Sequence, residues 1–447
     1  MSSGSPEDRQ FSRRNVLGSA TWATLQQLVT LGATAVSGII LARVLSVDDF
    51  GVFSYATTLG SIGMAIMAAG LSNLAVKHFA EHKSAQNKSM TALILIREFF
   101  AVVAYLVLLS TSLTSGDPNT VALTAVSLCV LFARAFDATE YWFQSRVESR
   151  KTAPVRITVV LFFLAVRILL AVSGGDLQTF IILYVLESIV ISAGLLLRYR
   201  VDRESAGFGA PSLSVMKDLF GKSWLLLLAG LAAQINSRGD VVIIQALLGS
   251  ADVGIYSAAA RLSELFYFLP IVFMTATFPG LLSTRRKFGQ DSDQYRSALQ
   301  RSYDFSCWVG IGIAACVFVL GPLVITLVYG ERYSAAGAVL QIHVLALPFV
   351  FMAAVFSKWI VAEGHFLASL LRHAAGAVIN IALNFALIPP LGITGAAVAT
   401  IVSYVIASYL SCFVGERTRA AGVQMTLALV APARLLARYF TGRKKDQ

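Results

Sequence analysis

The 447-residue chain is 56% hydrophobic and only 14% charged, and its formal net charge is +11. Soluble domains carry about 25% charged residues, so this composition excludes an ordinary soluble enzyme and indicates a membrane protein. The positive charge could suggest nucleic acid as a partner, but the basic residues flank apolar segments. There they act as topology signals and attract anionic headgroups. We therefore expect membrane lipids as partners and no nucleic acid.

Twelve apolar segments follow one another along the chain, and each approaches or exceeds the ~20 residues that cross a ~30 Å hydrocarbon layer. The fourth segment is the weakest, because Arg134 and Asp137 crowd one of its ends. The pattern predicts an all-α integral membrane protein with twelve transmembrane helices. The predicted spans are residues 17–43, 51–75, 89–113, 120–138, 154–173, 178–197, 222–248, 253–282, 303–328, 335–361, 366–388 and 394–414.

The connections between these spans alternate in charge. The odd-numbered connections together contain one basic residue, Arg332, whereas most of the 36 lysines and arginines lie in the N-terminus, the even-numbered connections and the C-terminal tail. Basic connections stay on the cytoplasmic side during insertion. Both termini are therefore expected to be cytoplasmic. The outward connections are too short to hold a catalytic domain, so we expect no enzyme activity.

The two halves of the chain repeat each other. A shift of 203 residues places the turn Asp49–Ser54 (DFGVFS) on Asp252–Ser257 (DVGIYS). Each half has six spans, an even number, so the repeats have the same orientation and are related by an axis along the membrane normal. The expected organisation is a cytoplasmic N-terminus (1–16), an N-terminal six-helix bundle (17–197), a cytoplasmic linker (198–221), a C-terminal six-helix bundle (222–414) and a cytoplasmic tail (415–447). The tail is too polar to span, and it either lies flat on the membrane surface or frays.

Ionisable side chains inside the predicted spans are costly and by default face a cavity or a partner. We single out seven basic and three acidic side chains: Arg97, Arg134, Arg167, Arg238, Arg261, Lys358 and Arg372, with Glu187, Asp240 and Glu264. A set that only paired internally would tend towards balance, so the cationic excess predicts that an anion visits the spans. Guanidinium suits phosphate because its planar fork donates two parallel hydrogen bonds.

From this set we expect a cationic cavity that binds the substrate. Gln234 and Arg238 share one helical face, and Asn236 lies on a neighbouring one. Arg238 lies about 24 Å into its span, beyond the midplane if the span starts at Lys222. For each cation the alternative is a structural ion pair or an end that snorkels to the headgroups. The expected cavity residues are Arg97, Arg167, Arg238, Arg261, Lys358, Gln234 and Asn236.

Asp240 and Glu264 allow two interpretations. They could carry a coupling ion, H⁺ or Na⁺, because intramembrane carboxylates often form proton or ion pathways. Alternatively they only compensate Arg238 and Arg261, which is the interpretation we favour. The five histidines and four cysteines form no metal motif, and no Gly-rich phosphate loop is present. The sequence therefore predicts no metal and no cofactor.

Dispersed motifs resemble one family. On a duplicated frame with twelve spans, the ordered set is similar to the Wzx-like polysaccharide-transport flippases of the multidrug/oligosaccharidyl-lipid/polysaccharide exporter superfamily. The resemblance extends over nearly the whole chain. Its motifs are Leu41–Ser54 (LARVLSVDDFGVFS), Asp240–Ile244 (DVVII), Gly254–Leu262 (GIYSAAARL), Tyr329–Tyr333 (YGERY) and Ile388–Ala397 (IPPLGITGAA).

The resemblance implies a V-shaped fold of two bundles around a cationic cavity, in the bacterial inner membrane. It also implies movement of an undecaprenyl-pyrophosphate-linked oligosaccharide between leaflets by alternating access, for O-antigen, capsule or exopolysaccharide biosynthesis. Two alternatives remain. A cation-coupled multidrug exporter of the same superfamily would favour an acidic or aromatic cavity, and a membrane glycan polymerase would need a large outward loop with reactive groups.

Overall fold

A computed structural model of the chain describes residues 13–82, 86–113, 116–364 and 366–434. The predicted cytoplasmic segment before residue 13 lies outside this part. Within the described residues the structure is helical and contains no β-strand. Twelve helical stretches are long and apolar enough to cross a membrane, which confirms the predicted number of spans.

The chain divides into two compact units, residues 1–257 and 258–447. Helix α11 (Ser250–Glu264) crosses this boundary. The helices of the first unit are α1 (Arg13–Val44), α2 (Val47–Ala68), α3 (Ser72–Glu81), α4 (Gln86–Ser112), α5 (Pro118–Leu128), α6 (Val130–Ala135), α7 (Ala138–Ser145), α8 (Ser149–Val172), α9 (Leu177–Val201) and α10 (Leu213–Leu247).

The second unit continues from α11 through a 3₁₀ turn at Leu265–Tyr267. One of its helices, running from Asp293 to Tyr329, is about 55 Å long and therefore extends beyond the hydrocarbon layer. Its helices are α12 (Phe268–Phe288), α13 (Asp293–Tyr329), α14 (Ala336–His343), α15 (Leu347–Ala362), α16 (Phe366–Leu391), α17 (Ile393–Ser408) and α18 (Glu416–Leu429). Helix α18 lies in the predicted tail and packs against α13, where Trp308 Nε1 donates to the carbonyl of Ala428 at 2.9 Å.

The compact units divide at a different place from the predicted linker, residues 198–221. The reason is that α10 packs along α2 within the first unit. At Gly70, where the chain leaves α2 with a positive φ of 66°, a Cβ atom would collide with the backbone of α10 at Ser223 and Leu227. The boundaries of the two six-helix bundles, which rest on the internal repeat, stay a prediction.

Side chains cap the helices that follow the three outward connections predicted in the first half of the chain. The Ser46 hydroxyl accepts a backbone N–H at the start of α2. Asp117 caps α5 and Asp176 caps α9 in the same way. Hydrogen bonds donated by the Thr120 hydroxyl and N–H hold the pKa of Asp117 below its ordinary value. These caps satisfy N–H groups that the first helical turn leaves open.

The sequence repeat has a structural counterpart where α2 and α11 begin. A Cβ atom at Gly51 would overlap the carbonyl oxygen of Ser250, and one at Gly254 would overlap the carbonyl oxygen of Val47. Val47 and Ser250 are themselves 203 residues apart, so both statements describe one contact seen from each repeat. In a two-fold relation, a contact between two residues recurs between their equivalents in the other repeat, as it does here.

Glycine-to-alanine changes at a crowded and at an open position should have opposite effects on stability. Gly51→Ala should lower the thermal unfolding temperature, because the new methyl group meets backbone and overpacking costs about 1–3 kcal/mol. Gly32, in the interior of α1, has open space around its Cβ position, so Gly32→Ala should stabilise by about 0.5–1 kcal/mol. Thermal unfolding of the detergent-purified variants measures both. Equal shifts in the same direction would rule out the close contact.

Candidate functional site

Arg97 holds the break in the fourth span. It is 3% exposed, and its Nε and Nη2 donate to the carbonyls of Ala135 and Arg134 at 3.0 and 2.7 Å. Its Nη1 donates to the Tyr141 hydroxyl at 2.9 Å. Carbonyls at a helix C-terminus carry partial negative charge, so the guanidinium caps α6 where the helix stops. The predicted role of Arg97 in the substrate cavity stays a prediction.

A second buried cluster joins α6, α7, α8 and α9. Asp137 accepts from Arg134 at 3.0 Å, from Arg156 at 2.8 Å and from Ser192 at 2.7 Å. Arg156 also pairs with Glu140 at 2.6 Å. Arg134 and Asp137 therefore belong to an internal network. Sequence reasoning did not find this network, because the partners of Asp137 lie 19 and 55 residues further along the chain.

Arg167 forms a compact polar contact between α1, α8 and α9. Its Nη2 pairs with Glu187, and its Nη1 donates to the Ser37 hydroxyl at 3.3 Å. The side chains of Arg167 and Glu187 are 8% and 13% exposed. This is the arrangement of a structural ion pair, the alternative considered for each intramembrane cation. Its predicted part in binding substrate is untested.

Helix α10 carries the polar face predicted from the sequence. Gln234 and Arg238 are half-buried, and Asn236 and Asp240 are buried. The Asn236 Oδ1 atom is buried without a hydrogen-bond donor. An unsatisfied buried acceptor costs about 1–3 kcal/mol, so this oxygen can still accept a hydrogen bond.

The carboxylate of Asp240 is engaged by the protein. It accepts the N–H of Val241 at 2.9 Å and the hydroxyl of Tyr256, a fully buried side chain on α11. The equivalent residues of the first repeat are Ser37 and Phe53. The pairing of a carboxylate with a phenol is therefore present in the second repeat and replaced in the first.

The predicted site residues of the second unit have different environments. Arg261 and Glu264 are half-buried at the end of α11. Lys358 is exposed on α15, with its Nζ 5.9 Å from the centroid of the Phe278 ring. Near Arg261, in the connection before α14, burial raises the pKa of Tyr333 to about 12, although the Arg332 and Arg261 cations oppose this shift.

Arg372, like Arg134, is a cation that was not expected in the cavity. On α16 it is 5% exposed and lies over the Phe356 ring, 5.0 Å from its centroid. Its Nη2 donates to the Ser357 hydroxyl at 2.8 Å, whereas its Nε has no hydrogen-bond partner. Among the described residues no carboxylate lies within 4.0 Å of its guanidinium. The side chain is thus a buried cation without an acidic partner in this part of the chain.

A pair of amides further along α16 was also missed. Asn380 and Asn384 are fully buried, and Asn384 Nδ2 donates to the carbonyl and Oδ1 of Asn380 at 2.8 and 3.0 Å. The Asn384 Oδ1 atom has no donor. Their spacing of four residues in an apolar segment is the signal that an analysis of ionisable groups alone overlooks. No cluster of three His, Cys, Asp or Glu side chains that could bind a metal occurs in the described ranges.

The Arg167–Glu187 contact predicts a non-additive pair of substitutions. Glu187→Gln should destabilise by about 3–5 kcal/mol, because it leaves a buried guanidinium uncompensated. The double variant Arg167→Met/Glu187→Met should recover most of this loss, since apolar replacement of a buried pair is often neutral. Thermal unfolding in detergent measures both.

The matched control for this cycle is Glu81→Gln. Glu81 pairs with Lys77 on the surface, where both side chains are more than half exposed, and such pairs contribute about 0–1 kcal/mol. If Glu187→Gln shifted the unfolding temperature no more than this control, Arg167 would not depend on Glu187.

The chain is similar to proteins of polysaccharide biosynthesis and transport. A family described as polysaccharide biosynthesis protein matches residues 40–339. The probable flippase AglR of Haloferax volcanii is 29% identical over 212 residues, 46% of this chain and 43% of AglR. The succinoglycan biosynthesis transport protein ExoT of Rhizobium meliloti is 23% identical over 335 residues, 74% of this chain and 66% of ExoT. These alignments span less than two thirds of each relative's length.

Two solved structures share the fold. An inward-facing multidrug resistance MATE family transporter of the MOP superfamily aligns with a TM-score of 0.67 at 15% identity, over 94% of this chain and 99% of that one. The lipid II flippase MurJ, in an inward closed conformation, aligns with the same TM-score at 16% identity, over 95% and 93%. At these identities the likeness shows the fold and confirms the predicted class. Because the family match covers more than half of the chain, this protein belongs to the polysaccharide biosynthesis protein family.

Proposed function

We propose that the chain is a flippase for a lipid-linked oligosaccharide. It moves an undecaprenyl-pyrophosphate-linked glycan across the bacterial inner membrane by alternating access, for O-antigen, capsule or exopolysaccharide biosynthesis. The observation that carries this proposal is Arg372, a buried cation with no carboxylate beside it in the described chain. The names of AglR and ExoT, a probable flippase and a succinoglycan transport protein, support the same class of substrate.

A buried charge without a countercharge is costly. Moving an ion from water into a protein interior has an effective penalty of several kcal/mol, even after relaxation. Arg97 and Arg167 recover part of that penalty from carbonyls and a carboxylate of the protein. Arg372 has the Ser357 hydroxyl and the face of Phe356 but no carboxylate among the residues that the structure describes. A polyanionic substrate would supply the missing negative charge during transport.

The proposed division of roles follows from side-chain chemistry. Arg238, Arg261 and Lys358 bind phosphoryl oxygens, because charged donors form the strongest hydrogen bonds to phosphate. The amides of Gln234 and Asn236 bind sugar hydroxyls. We propose Arg97 and Arg167 as further cationic contacts of the same substrate.

The coupling of transport to an ion belongs to the same proposal. A proton or a sodium ion would act at Asp240 or Glu264. The two hydrogen bonds that Asp240 accepts from Val241 and Tyr256 support the other interpretation, in which this carboxylate serves the structure and compensates a cation. Both termini are proposed to lie in the cytoplasm, as the distribution of basic residues indicates.

This function requires no catalytic residue and no cofactor, since the substrate changes leaflet without a change in any covalent bond. A multidrug exporter is the second candidate, and it shares the fold of the MATE transporter. Exporters of cationic drugs need negative or aromatic groups in the cavity, whereas seven of the ten ionisable groups singled out in the spans are basic. The charge balance favours the flippase.

Proteoliposomes that contain the purified protein test the proposal. The native pyrophosphate-linked glycolipid is loaded into both leaflets, and an external glycosidase reports the fraction that becomes accessible with time. We expect accessibility beyond the outer leaflet only when the protein is present. Accessibility that stays at the protein-free level, together with uptake of a cationic dye, would replace the flippase by the exporter.

Arg238→Ala should slow this flipping at least about tenfold, because one charged hydrogen bond to phosphate contributes about 1.5–3 kcal/mol. Arg203→Ala is the control, since Arg203 is an exposed arginine of the connection between α9 and α10. Equal rates for the two variants at equal protein levels would remove Arg238 from the site.

Arg372→Met should separate stability from transport. Apolar replacement of buried charged groups is often neutral or stabilising, and Arg372→Met leaves no carboxylate of the described residues unpaired, so the unfolding temperature should stay constant or rise. Flipping in the same proteoliposome assay should fall strongly, because the cation that the substrate neutralises is gone. A variant with a lower unfolding temperature and full transport would show that Arg372 is structural.

A further inference from the structure

A narrow apolar cavity opens in the first unit between the start of α4 and the end of α9. Its volume is about 240 Å³. Its walls are almost entirely carbon, and only Arg200 brings a charge. The lining residues that matter here are Ile94, Leu95, Phe136, Leu196, Arg200 and Phe208. Leu95 is 41% exposed, so the cavity communicates with the outside of the bundle, where lipid surrounds the spans.

The backbone of Gly207–Gly209, called the strap below, covers one side of this cavity. The N–H of Gly209 donates to the carbonyl of Asn87 and to the Thr91 hydroxyl, each at 3.2 Å. The Tyr199 hydroxyl donates to the carbonyl of Gly207 at 3.0 Å. A Cβ atom at Gly209 would press on the Asn87 side chain. The strap therefore follows α4 closely and fixes the Phe208 ring at the edge of the cavity.

Arg200, the charged residue at the cavity, has no acidic partner in the described ranges, because the nearby carboxylates pair with other residues. Asp202 is taken by Lys151 at 2.9 Å and by Arg198 at 3.6 Å. Glu204 is taken by Arg146. Arg200 forms no ion pair within the described ranges, and its guanidinium lies 5.4 Å from the centroid of the Phe208 ring. The arginine is exposed and can reach a ligand outside the protein.

We infer that this cavity binds one acyl chain of an anionic phospholipid, with the lipid phosphate at Arg200. An apolar slot beside a single unpaired guanidinium matches a molecule with a hydrocarbon tail next to a phosphate. Arg200 is the second-last residue of α9, which places it at the membrane boundary where phosphates lie. The abundance of basic residues on this side assigns the lipid to the cytoplasmic leaflet. None of the residues that line this cavity belongs to the expected substrate-binding set.

Binding of defined lipids to the purified full-length protein tests this inference. Native mass spectrometry in detergent counts bound phosphatidylglycerol and, for comparison, phosphatidylcholine with the same acyl chains. We expect one retained phosphatidylglycerol on the wild type and weaker retention of phosphatidylcholine. Arg200→Ala should raise the Kd for phosphatidylglycerol about tenfold, and Arg203→Ala, four residues from the strap's Gly207, should leave it unchanged.

Leu196→Trp supplies an independent arm, because it fills the slot without changing a charge. It should reduce retention of both lipids while the unfolding temperature without lipid stays near that of the wild type. Equal losses for Arg200→Ala and Arg203→Ala would reduce the effect to diffuse attraction and overturn the site. Displacement of phosphatidylglycerol by undecaprenyl phosphate at equal concentration would assign the slot to the substrate's tail instead. None of these measurements depends on flipping, so their failure leaves the proposed function untouched.

Discussion

A positive charge inside a membrane protein must find negative charge or strong acceptors, and this constraint organises the structure. In the first unit the protein supplies them. Arg97 donates hydrogen bonds to the carbonyls where α6 ends. Arg156 forms ion pairs with Asp137 and Glu140, and Arg167 forms one with Glu187. In the second unit the buried Arg372 contacts the Ser357 hydroxyl and the Phe356 ring, and no carboxylate of the described residues pairs with it. An uncompensated buried charge costs several kcal/mol, and we propose that the substrate brings the countercharge.

The internal duplication shows how such chemistry can arise on a repeated frame. The turn that starts α2 and the turn that starts α11 meet through Gly51 and Gly254, so backbone geometry is common to both repeats. The polar side chains at equivalent positions of the two repeats differ. Ser37 of the first repeat accepts from Arg167, whereas its equivalent Asp240 accepts from Tyr256. The repeat thus preserves packing at its glycines, and the polar positions have taken separate roles.

The twelve spans and the repeat could be predicted because they depend on properties of the sequence itself, the length of apolar segments and identities at a fixed separation. The partners of the intramembrane charges could not. Arg97 binds backbone carbonyls 37 and 38 residues away, and a carbonyl has no signature in the sequence. A snorkelling end was one alternative for Arg372, whereas its burial depends on which face of α16 meets α15. The amides Asn380 and Asn384 lay outside a search for ionisable groups. The roles of the expected cavity residues stay predictions.

The central claim is that intramembrane cations select a substrate by its phosphate charge. The most direct measurement compares three glycolipids with the same glycan and the same polyprenyl tail, joined by pyrophosphate, by monophosphate or by a neutral ether. Their rates of flipping are measured in proteoliposomes of the wild-type protein. The account predicts that the rate falls in that order and that the neutral lipid moves no faster than in protein-free vesicles. Equal protein-dependent rates for all three would contradict it, because the buried cations would then have no part in recognition.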